Sequence, residues 1–139
     1  MKIIKIIFLA SIILILNLIW EFLHYQLYID MSGISTFPHL FLASFTDVFI
    51  LLVIFSLISL AHKSIKWINH PSKLDYFVLF ALAISTSATI EIINLNLGRW
   101  AYTELMPTIF RIGISPLFQL AVTGILAILI IKILNKNTK

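Results

Sequence analysis

Four long apolar segments constrain this chain more than any other feature of its sequence. They cover about residues 3–23, 39–61, 74–95 and 112–134. Each is close to the ~20 residues that a helix needs to cross about 30 Å of hydrocarbon. Only helices and closed barrels satisfy their backbone hydrogen bonds inside lipid, and these segments are too long and too uniformly apolar for barrel strands. The sequence therefore predicts an all-α polytopic membrane protein, with residues 1–139 forming one four-transmembrane-helix bundle.

Composition supports a lipid environment and excludes several classes of function. The chain is 60% hydrophobic and 12% charged, and a soluble domain of 139 residues could not hide so much apolar surface. The absence of cysteine excludes disulfides, thiolate catalysis and lipidation through cysteine. A net charge of +4 is compatible with nucleic-acid binding, but the lysines lie beside the ends of apolar segments. We therefore predict no nucleic-acid partner.

The lysines also predict the orientation of the spans. They lie at the N-terminus, in the connection at 62–73 and at the C-terminus: Lys2, Lys5, Lys63, Lys66, Lys73, Lys132, Lys136 and Lys139. Because cytoplasmic flanks carry an excess of basic residues, both termini are predicted to be cytoplasmic, and residues 24–38 and 96–111 extracytoplasmic. The first segment continues to Trp20 without a small-residue cleavage site, so we expect an uncleaved anchor. The predicted location is the cytoplasmic (inner) membrane of the cell.

Polar and small residues within the apolar segments share one face of each predicted helix. A helix turns about 100° per residue, so residues three or four apart lie on the same face. One such face occurs on each helix, formed in chain order by Asn17, Glu21 and His24; by Ala43, Thr46 and Asp47; by Ala83, Ser87, Glu91 and Asn94; and by Pro116, Gln119, Thr123 and Ala127. Such faces let transmembrane helices approach and form hydrogen bonds. We expect a polar cavity in the extracytoplasmic half, lined by Glu21, His24, Asp47, Glu91, Asn94 and Gln119, with Arg99, Trp100, Tyr102 and Arg111 above it.

Asp47 and Glu91 are the candidate catalytic residues. Asp47 lies near the middle of the second segment, where an ionised carboxylate costs at least about 2.5–3.5 kcal/mol. Either Asp47 is protonated, or a partner such as Arg99, His24 or a bound cation offsets that cost. The sequence leaves two roles open. The two carboxyls act as a general acid and base, or each makes a structural hydrogen bond to a neighbouring helix.

Glu21 and His24 are the only candidate metal ligands that spacing suggests. A Glu-x-x-His element occurs in di-iron and di-manganese bundles, which use it twice with two further glutamates. Here Glu91-x-x-Asn94 would have to be the second copy, and Asn is a poor ligand where His belongs. We therefore predict no metal site and interpret the pair as an interfacial hydrogen bond. The sequence requires no cofactor.

Both arginines of the protein lie in the connection at 96–111 or at its end. For Arg111 we expect an internal partner such as Glu104 or Glu91. For Arg99 we expect contact with a phosphate or carboxylate headgroup. Trp100 and Tyr102 are typical of the aromatic belt at a membrane surface, and they are also candidates for substrate contact.

The segment from Glu91 to Gln119 carries a resemblance to a known family. Glu91 is followed by Gly98-Arg-Trp-Ala-Tyr102 and then by Ile112-Gly-Ile-Ser-Pro-Leu-Phe-Gln119. This order resembles the membrane-embedded carotenoid cyclases and hydratases, which show a Glu, then a Gly-x-Trp or Tyr-x-Tyr loop, then a Gly-Ile/Val-Pro turn that opens the next helix. The resemblance implies acid-catalysed chemistry on a polyisoprenoid double bond, with Glu91 as the proton donor.

These features lead to one main hypothesis and two alternatives. The main hypothesis is a protein whose extracytoplasmic cavity binds a membrane lipid or isoprenoid-type amphiphile, with proton transfer at Glu91 and Asp47. The substrate contacts would come from Glu21, His24, Asn94, Arg99, Trp100, Tyr102 and Gln119. One alternative is a noncatalytic assembly or accessory subunit whose polar stripes pair with helices of a membrane-protein partner. The other is a homo-oligomeric transporter or ion pathway.

Overall fold

A computed structural model describes residues 2–137 and contains four long helices. They are α1 (Lys2–His24), α2 (Thr36–Ala61), α3 (Lys73–Asn96) and α4 (Ile114–Asn137). Each contains a stretch long and apolar enough to cross a membrane: Ile6–Leu27, Thr36–Ala61, Lys73–Asn96 and Ile114–Asn135. The prediction of four long apolar helices is therefore confirmed. Of the lysines used to orient the chain, Lys139 and the side chains of Lys2, Lys5 and Lys136 lie outside the described part.

The helices form a bundle whose apolar core lies at one end. The most extensive contacts are those of α3 with α4 and of α1 with α2, while α1–α4 and the sparser α2–α3 contacts close the ring. The core fills the half of the bundle next to the 3-10 turn Ile65–Asn69, around Ile13, Leu51, Leu79 and Ile128. Many large apolar side chains instead face outward, as expected for a surface in contact with lipid.

The polar faces point into the bundle on three helices, as predicted. Every member of the stripes on α3 and α4 is buried: Ala83, Ser87, Glu91, Asn94, Pro116, Gln119, Thr123 and Ala127. On α1, Asn17 and His24 are buried and Glu21 is half-buried. On α2 the buried line instead passes through Ser44 and Val48, so Asp47 lies at its edge and Thr46 is exposed. The Thr46 hydroxyl donates to the Leu42 carbonyl one turn back, which satisfies it although the residue is exposed.

Short strands, which we did not predict, join the two connections at the opposite end of the bundle. Strand β1 (Tyr28–Asp30) pairs antiparallel with β2 (Trp100–Tyr102), with Tyr28 opposite Tyr102 and Asp30 opposite Trp100. A hairpin of β3 (Thr108–Ile109) and β4 (Ile112–Gly113) follows and leads directly into α4. The β1–β2 pairing holds the connection after α1 against the connection after α3.

The 62–73 connection is a compact hairpin fixed by side-chain caps. Ser72 and Asp75 form a reciprocal capping box at the start of α3, in which the Ser72 hydroxyl accepts from the Asp75 N–H at 3.2 Å. His62 Nε2 lies 2.6 Å from Asp75 Oδ1, and this contact joins the end of α2 to the start of α3. The Trp67 indole donates to the Ser59 hydroxyl at 2.8 Å. These contacts hold the connection against α2 and α3, and the cavity lies at the opposite end of the bundle.

Candidate functional site

A cavity of about 800 Å³ lies between the helices at the end that carries β1 and β2. Its wall includes all six residues predicted to line it: Glu21, His24, Asp47, Glu91, Asn94 and Gln119. Arg99 and Trp100 also line it, whereas Tyr102 and Arg111 are not among the described residues of the wall. The stripe pattern therefore predicted the wall well, because each polar face follows a helical period that places it inside the bundle.

Glu91 lies at the centre of a hydrogen-bonded cluster of aromatic side chains. The Trp100 indole N–H donates to Glu91 Oε2 at 3.3 Å, and the Tyr102 hydroxyl donates to the same oxygen. The Tyr28 hydroxyl donates to Oε1 at 3.2 Å. The β1–β2 register explains this arrangement, since it sets Tyr28 opposite Tyr102 beside the last turns of α3. Sequence reasoning placed Trp100 and Tyr102 at the membrane surface and did not identify Tyr28.

The Tyr102 hydroxyl is oriented by a backbone group at the start of α4. The Gly113 N–H donates to this hydroxyl oxygen at 2.9 Å, so the hydroxyl hydrogen is free to point at Glu91. Burial and the neighbouring Glu91 raise the pKa of both Tyr28 and Tyr102 above the usual tyrosine value. Both phenols therefore stay protonated and act as donors to the carboxyl group.

A second cluster joins three helices around the Gln119 side chain. Its Nε2 donates to Asp47 Oδ2 at 2.7 Å, to Glu21 Oε1 at 2.8 Å and to Asn17 Oδ1 at 3.3 Å. An amide nitrogen carries two hydrogens, so three acceptors share them. Within the described residues no hydrogen bond joins this cluster's Asp47 to Glu91. The two candidate catalytic carboxyls thus face the same cavity from separate clusters.

His24 uses both ring nitrogens within the protein. Nε2 lies 3.2 Å from Glu21 Oε2, and Nδ1 lies 2.7 Å from the Ser115 hydroxyl, which also accepts from the Trp20 indole at 3.2 Å. The i, i+3 contact is the one that the Glu-x-x-His spacing predicts. In residues 2–137 no group of three or more His, Asp or Glu side chains is arranged to hold a metal ion. Trp20 and Ser115 were not predicted, because Ser115 meets α1 only through tertiary packing.

The mouth of the cavity carries one arginine and one carboxyl–imidazole pair. Arg99 is exposed and donates from Nη1 to Asn94 Oδ1 at 3.0 Å. Asp30 Oδ2 lies 2.5 Å from His39 Nδ1, and the Ser32 N–H donates to Asp30 Oδ1 at 2.8 Å. Asp30, Ser32 and His39 all line the cavity. This contact between β1 and the first turn of α2 was not predicted from the sequence.

Arg111 differs from the expectation of an internal ion pair. Its residue is exposed in the turn between β3 and β4, and the ion pairs found within the described chain all use histidines. The reason is geometric. Arg111 lies in the exposed two-residue turn between β3 and β4, where Phe110 and Arg111 have φ of 50° and 68°, and not on the helix that carries Glu91.

No protein-family model matches the chain, and neither a curated protein nor a solved structure matches it.

Proposed function

We propose that this chain is a multi-pass protein of the cytoplasmic membrane, with cytoplasmic termini, whose extracytoplasmic cavity binds a lipid or isoprenoid-type amphiphile. One observation carries the proposal: polar side chains from all four helices converge on one cavity in an otherwise apolar bundle. Ionisable groups at membrane depth are costly and mark binding or proton-transfer sites. The cavity volume of about 800 Å³ lies within the range of about 300–1,000 Å³ typical of small-molecule sites.

Proton transfer is assigned to Glu91 and Asp47. The Trp100 indole can only donate to Glu91 Oε2, and the Tyr102 hydroxyl donates to Oε2 while it accepts from Gly113. The Tyr28 hydroxyl at Oε1 has no other described partner and can reverse to accept, so a proton on this carboxyl group would reside on Oε1. Oε1 faces Tyr28, whose side chain lines the cavity, and this gives the proton a route to a bound molecule. The resemblance of residues 91–119 to carotenoid cyclases and hydratases supports an acid-catalysed reaction. In it, Glu91 gives a proton to a polyisoprenoid double bond, and the carbocation that forms then loses a neighbouring proton to a carboxylate of the wall.

The remaining wall residues bind and position the amphiphile in this proposal. Asn94 and Arg99 lie together at the mouth, where they meet polar atoms of the ligand. Trp100 and Tyr102 hold Glu91 in place, and Trp100 also contacts the ligand. Glu21, His24 and Gln119 form the opposite wall. Apolar side chains of Ile50, Ile90 and Leu120 complete the lining and accept the chain of the amphiphile.

The alternative function, an accessory subunit, requires the polar stripes to contact helices of a partner protein. On α1, α3 and α4, however, the stripes face the interior of the bundle. Outward-facing hydroxyls such as those of Ser11, Ser56 and Thr89 donate to carbonyls one turn back on their own helices. A partner would therefore meet apolar surface, or it would have to enter the cavity.

Native mass spectrometry of protein extracted from membranes tests the proposal. We expect a stoichiometric amphiphile adduct on the wild type and on the control Glu104→Gln, an exposed residue outside the cavity wall. Glu91→Gln should retain an adduct of different mass, because the ligand binds but is not converted. An identical adduct on the wild type and Glu91→Gln would contradict catalysis. A protein free of small-molecule adducts, or one bound to a stoichiometric protein partner, would contradict amphiphile binding.

A further inference from the structure

The cavity wall carries more acidic than basic side chains. Four carboxyl groups line it, those of Glu21, Asp30, Asp47 and Glu91, against one guanidinium, that of Arg99. The two histidines of the wall, His24 and His39, each lie against a carboxyl group. An anionic headgroup would therefore meet several like charges for each favourable contact, whereas a cationic headgroup would meet the reverse.

Asp47 is the carboxyl group of the wall that lacks a cationic or aromatic partner. Glu21 contacts His24, Asp30 contacts His39, and Glu91 accepts from three aromatic side chains. Asp47 instead has the Gln119 amide at 2.7 Å, and no described Lys, Arg or His lies within 4.0 Å of it. Arg99, the guanidinium of the wall, bonds to Asn94 rather than to a carboxylate. A carboxylate at membrane depth without a counter-charge is costly, and a cationic ligand would remove that cost.

Two further features of the wall fit a ligand with a charged N–H group. The aromatic rings of Tyr25, Tyr28 and Trp100 line the cavity, and the faces of such rings attract ammonium groups. Ser87 lines the same cavity, is only 4% exposed, and its hydroxyl oxygen has no hydrogen-bond partner within the described chain. Buried hydroxyls are almost always hydrogen-bonded, so this oxygen is available to accept from a molecule in the cavity.

The cavity also offers a place for an apolar chain beside these polar groups. Contacts between α2 and α3 are sparser than those of α1 with α2 or of α3 with α4. Leu42 on α2 lines the cavity and is 56% exposed, so the wall continues onto the outer surface of the bundle at this point. In a membrane this surface meets the acyl chains, and an alkyl chain could extend from the cavity between α2 and α3.

We propose that the bound amphiphile is an alkylammonium: an apolar chain with a protonated amine headgroup, held against Asp47 and Glu21. This inference rests on the proposed function, because it names the class of ligand for the same cavity. The ammonium pairs with the carboxyl groups and donates to the Ser87 hydroxyl, while the chain leaves between α2 and α3. Anionic amphiphiles are excluded by the carboxyl groups, and neutral alcohols gain no charge pairing.

Three probes with one chain length test the headgroup. Octylamine, which is protonated at neutral pH, octanol and octanoate are titrated by calorimetry into the protein in dodecyl maltoside, with protein-free micelles as the blank. We expect saturable binding of octylamine and at least tenfold weaker binding of the other two, a difference of about 1.4 kcal/mol. Asp47→Asn should weaken octylamine binding by roughly tenfold or more, since an ion pair at membrane depth is lost. Glu104→Gln, which removes an equal charge outside the cavity, should change nothing.

The results distinguish a wrong headgroup from the absence of an amphiphile site. If octanol or octanoate binds as tightly as octylamine, the cavity is an amphiphile site and the cationic headgroup is wrong. If none of the three probes binds saturably, the amphiphile site itself is contradicted. Equal octylamine affinities of Asp47→Asn and the wild type, with unchanged helical content, would also overturn the role of Asp47. If Asp47→Asn does not fold, the order of the three probes on the wild type decides.

Discussion

At the scale of single residues, Glu91 is linked to the backbone of the next helix through one phenol. The Gly113 N–H donates to the Tyr102 oxygen, and Tyr102 in turn donates to Glu91 Oε2. The other carboxyl oxygen meets Tyr28, which faces the cavity. The two oxygens of this carboxyl group thus differ in their partners, because Oε2 is held by two donors and Oε1 meets one hydroxyl that lines the cavity.

Replacing Tyr102 by Phe tests the fixing of Glu91. The change leaves the Gly113 N–H without its acceptor and removes a donor from a buried carboxyl group. We expect the free energy of unfolding to fall by roughly 1–3 kcal/mol, as for a buried polar group left unpaired. Thermal unfolding in detergent micelles measures this loss. Tyr25→Phe is the matched control, since Tyr25 is exposed and its hydroxyl makes no hydrogen bond within the described chain. Equal losses in the two variants would contradict the fixing role.

Contacts between residues close together in the chain could be predicted from the sequence. The contact between Glu21 and His24 follows from their spacing on one helix, and the burial of Asn94 follows from its stripe. The contact of Tyr28 could not be predicted, because its partner, Glu91, is 63 residues away and is reached only through strand pairing. No local pattern around Tyr28 distinguishes it from an aromatic residue at a membrane surface.

At the scale of elements, the pair Asp30–His39 ties β1 to the first turns of α2. Asp30 accepts from Ser32 and lies 2.5 Å from His39, at the mouth of the cavity. Burial alone would raise the pKa of Asp30, but the hydrogen bonds from Ser32 and the contact with His39 outweigh it. They lower the pKa below the ordinary value of 3.8. A lowered pKa in the folded state means that the charged carboxylate stabilises this junction.

Acid should therefore remove the contribution of Asp30. A carboxyl group with a lowered pKa stabilises the fold above its unfolded pKa and loses that effect as the pH falls through the folded value. We expect Asp30→Asn to lower the unfolding temperature at about pH 5, above the unfolded pKa, and we expect this difference to disappear as the pH is lowered through the folded pKa. Unfolding temperatures of the two proteins across this range measure it. Glu104→Gln should show no such pH-dependent difference, and a difference for Asp30→Asn that persists at low pH would refute the ion pair.

The element pattern was predictable for helices and not for strands. Long apolar segments with lysines at their ends predicted all four helices, although α2 begins at Thr36 rather than near residue 39. The strands are two or three residues long and carry no alternating pattern that sequence reasoning could detect. Phe110 and Arg111 both adopt positive φ in the turn, where Gly or Asn is usual. The turn could therefore not be predicted from these two residue types.

At the scale of the whole molecule, the two ends of the bundle differ in content. Apolar packing and the His62–Asp75 contact close the end beside the 62–73 connection, and the cavity occupies the other end. This division follows from the sequence, because five of the six acidic residues lie toward the connections at 24–38 and 96–111. The volume of the cavity depends on how the helices cross, and the sequence does not specify that.

The orientation of the cavity can be tested because the chain contains no cysteine. A single cysteine at an exposed site then reports the side on which that site lies. Moving the lysine-flanked connection across the membrane is unfavourable, so Lys66 is expected on the cytoplasmic side and Glu104 on the other. A membrane-impermeant maleimide should label Glu104→Cys in intact spheroplasts and label Lys66→Cys only after lysis. The reverse pattern would place the cavity in the cytoplasmic leaflet, and its ligand would then have to come from the lipids of that leaflet.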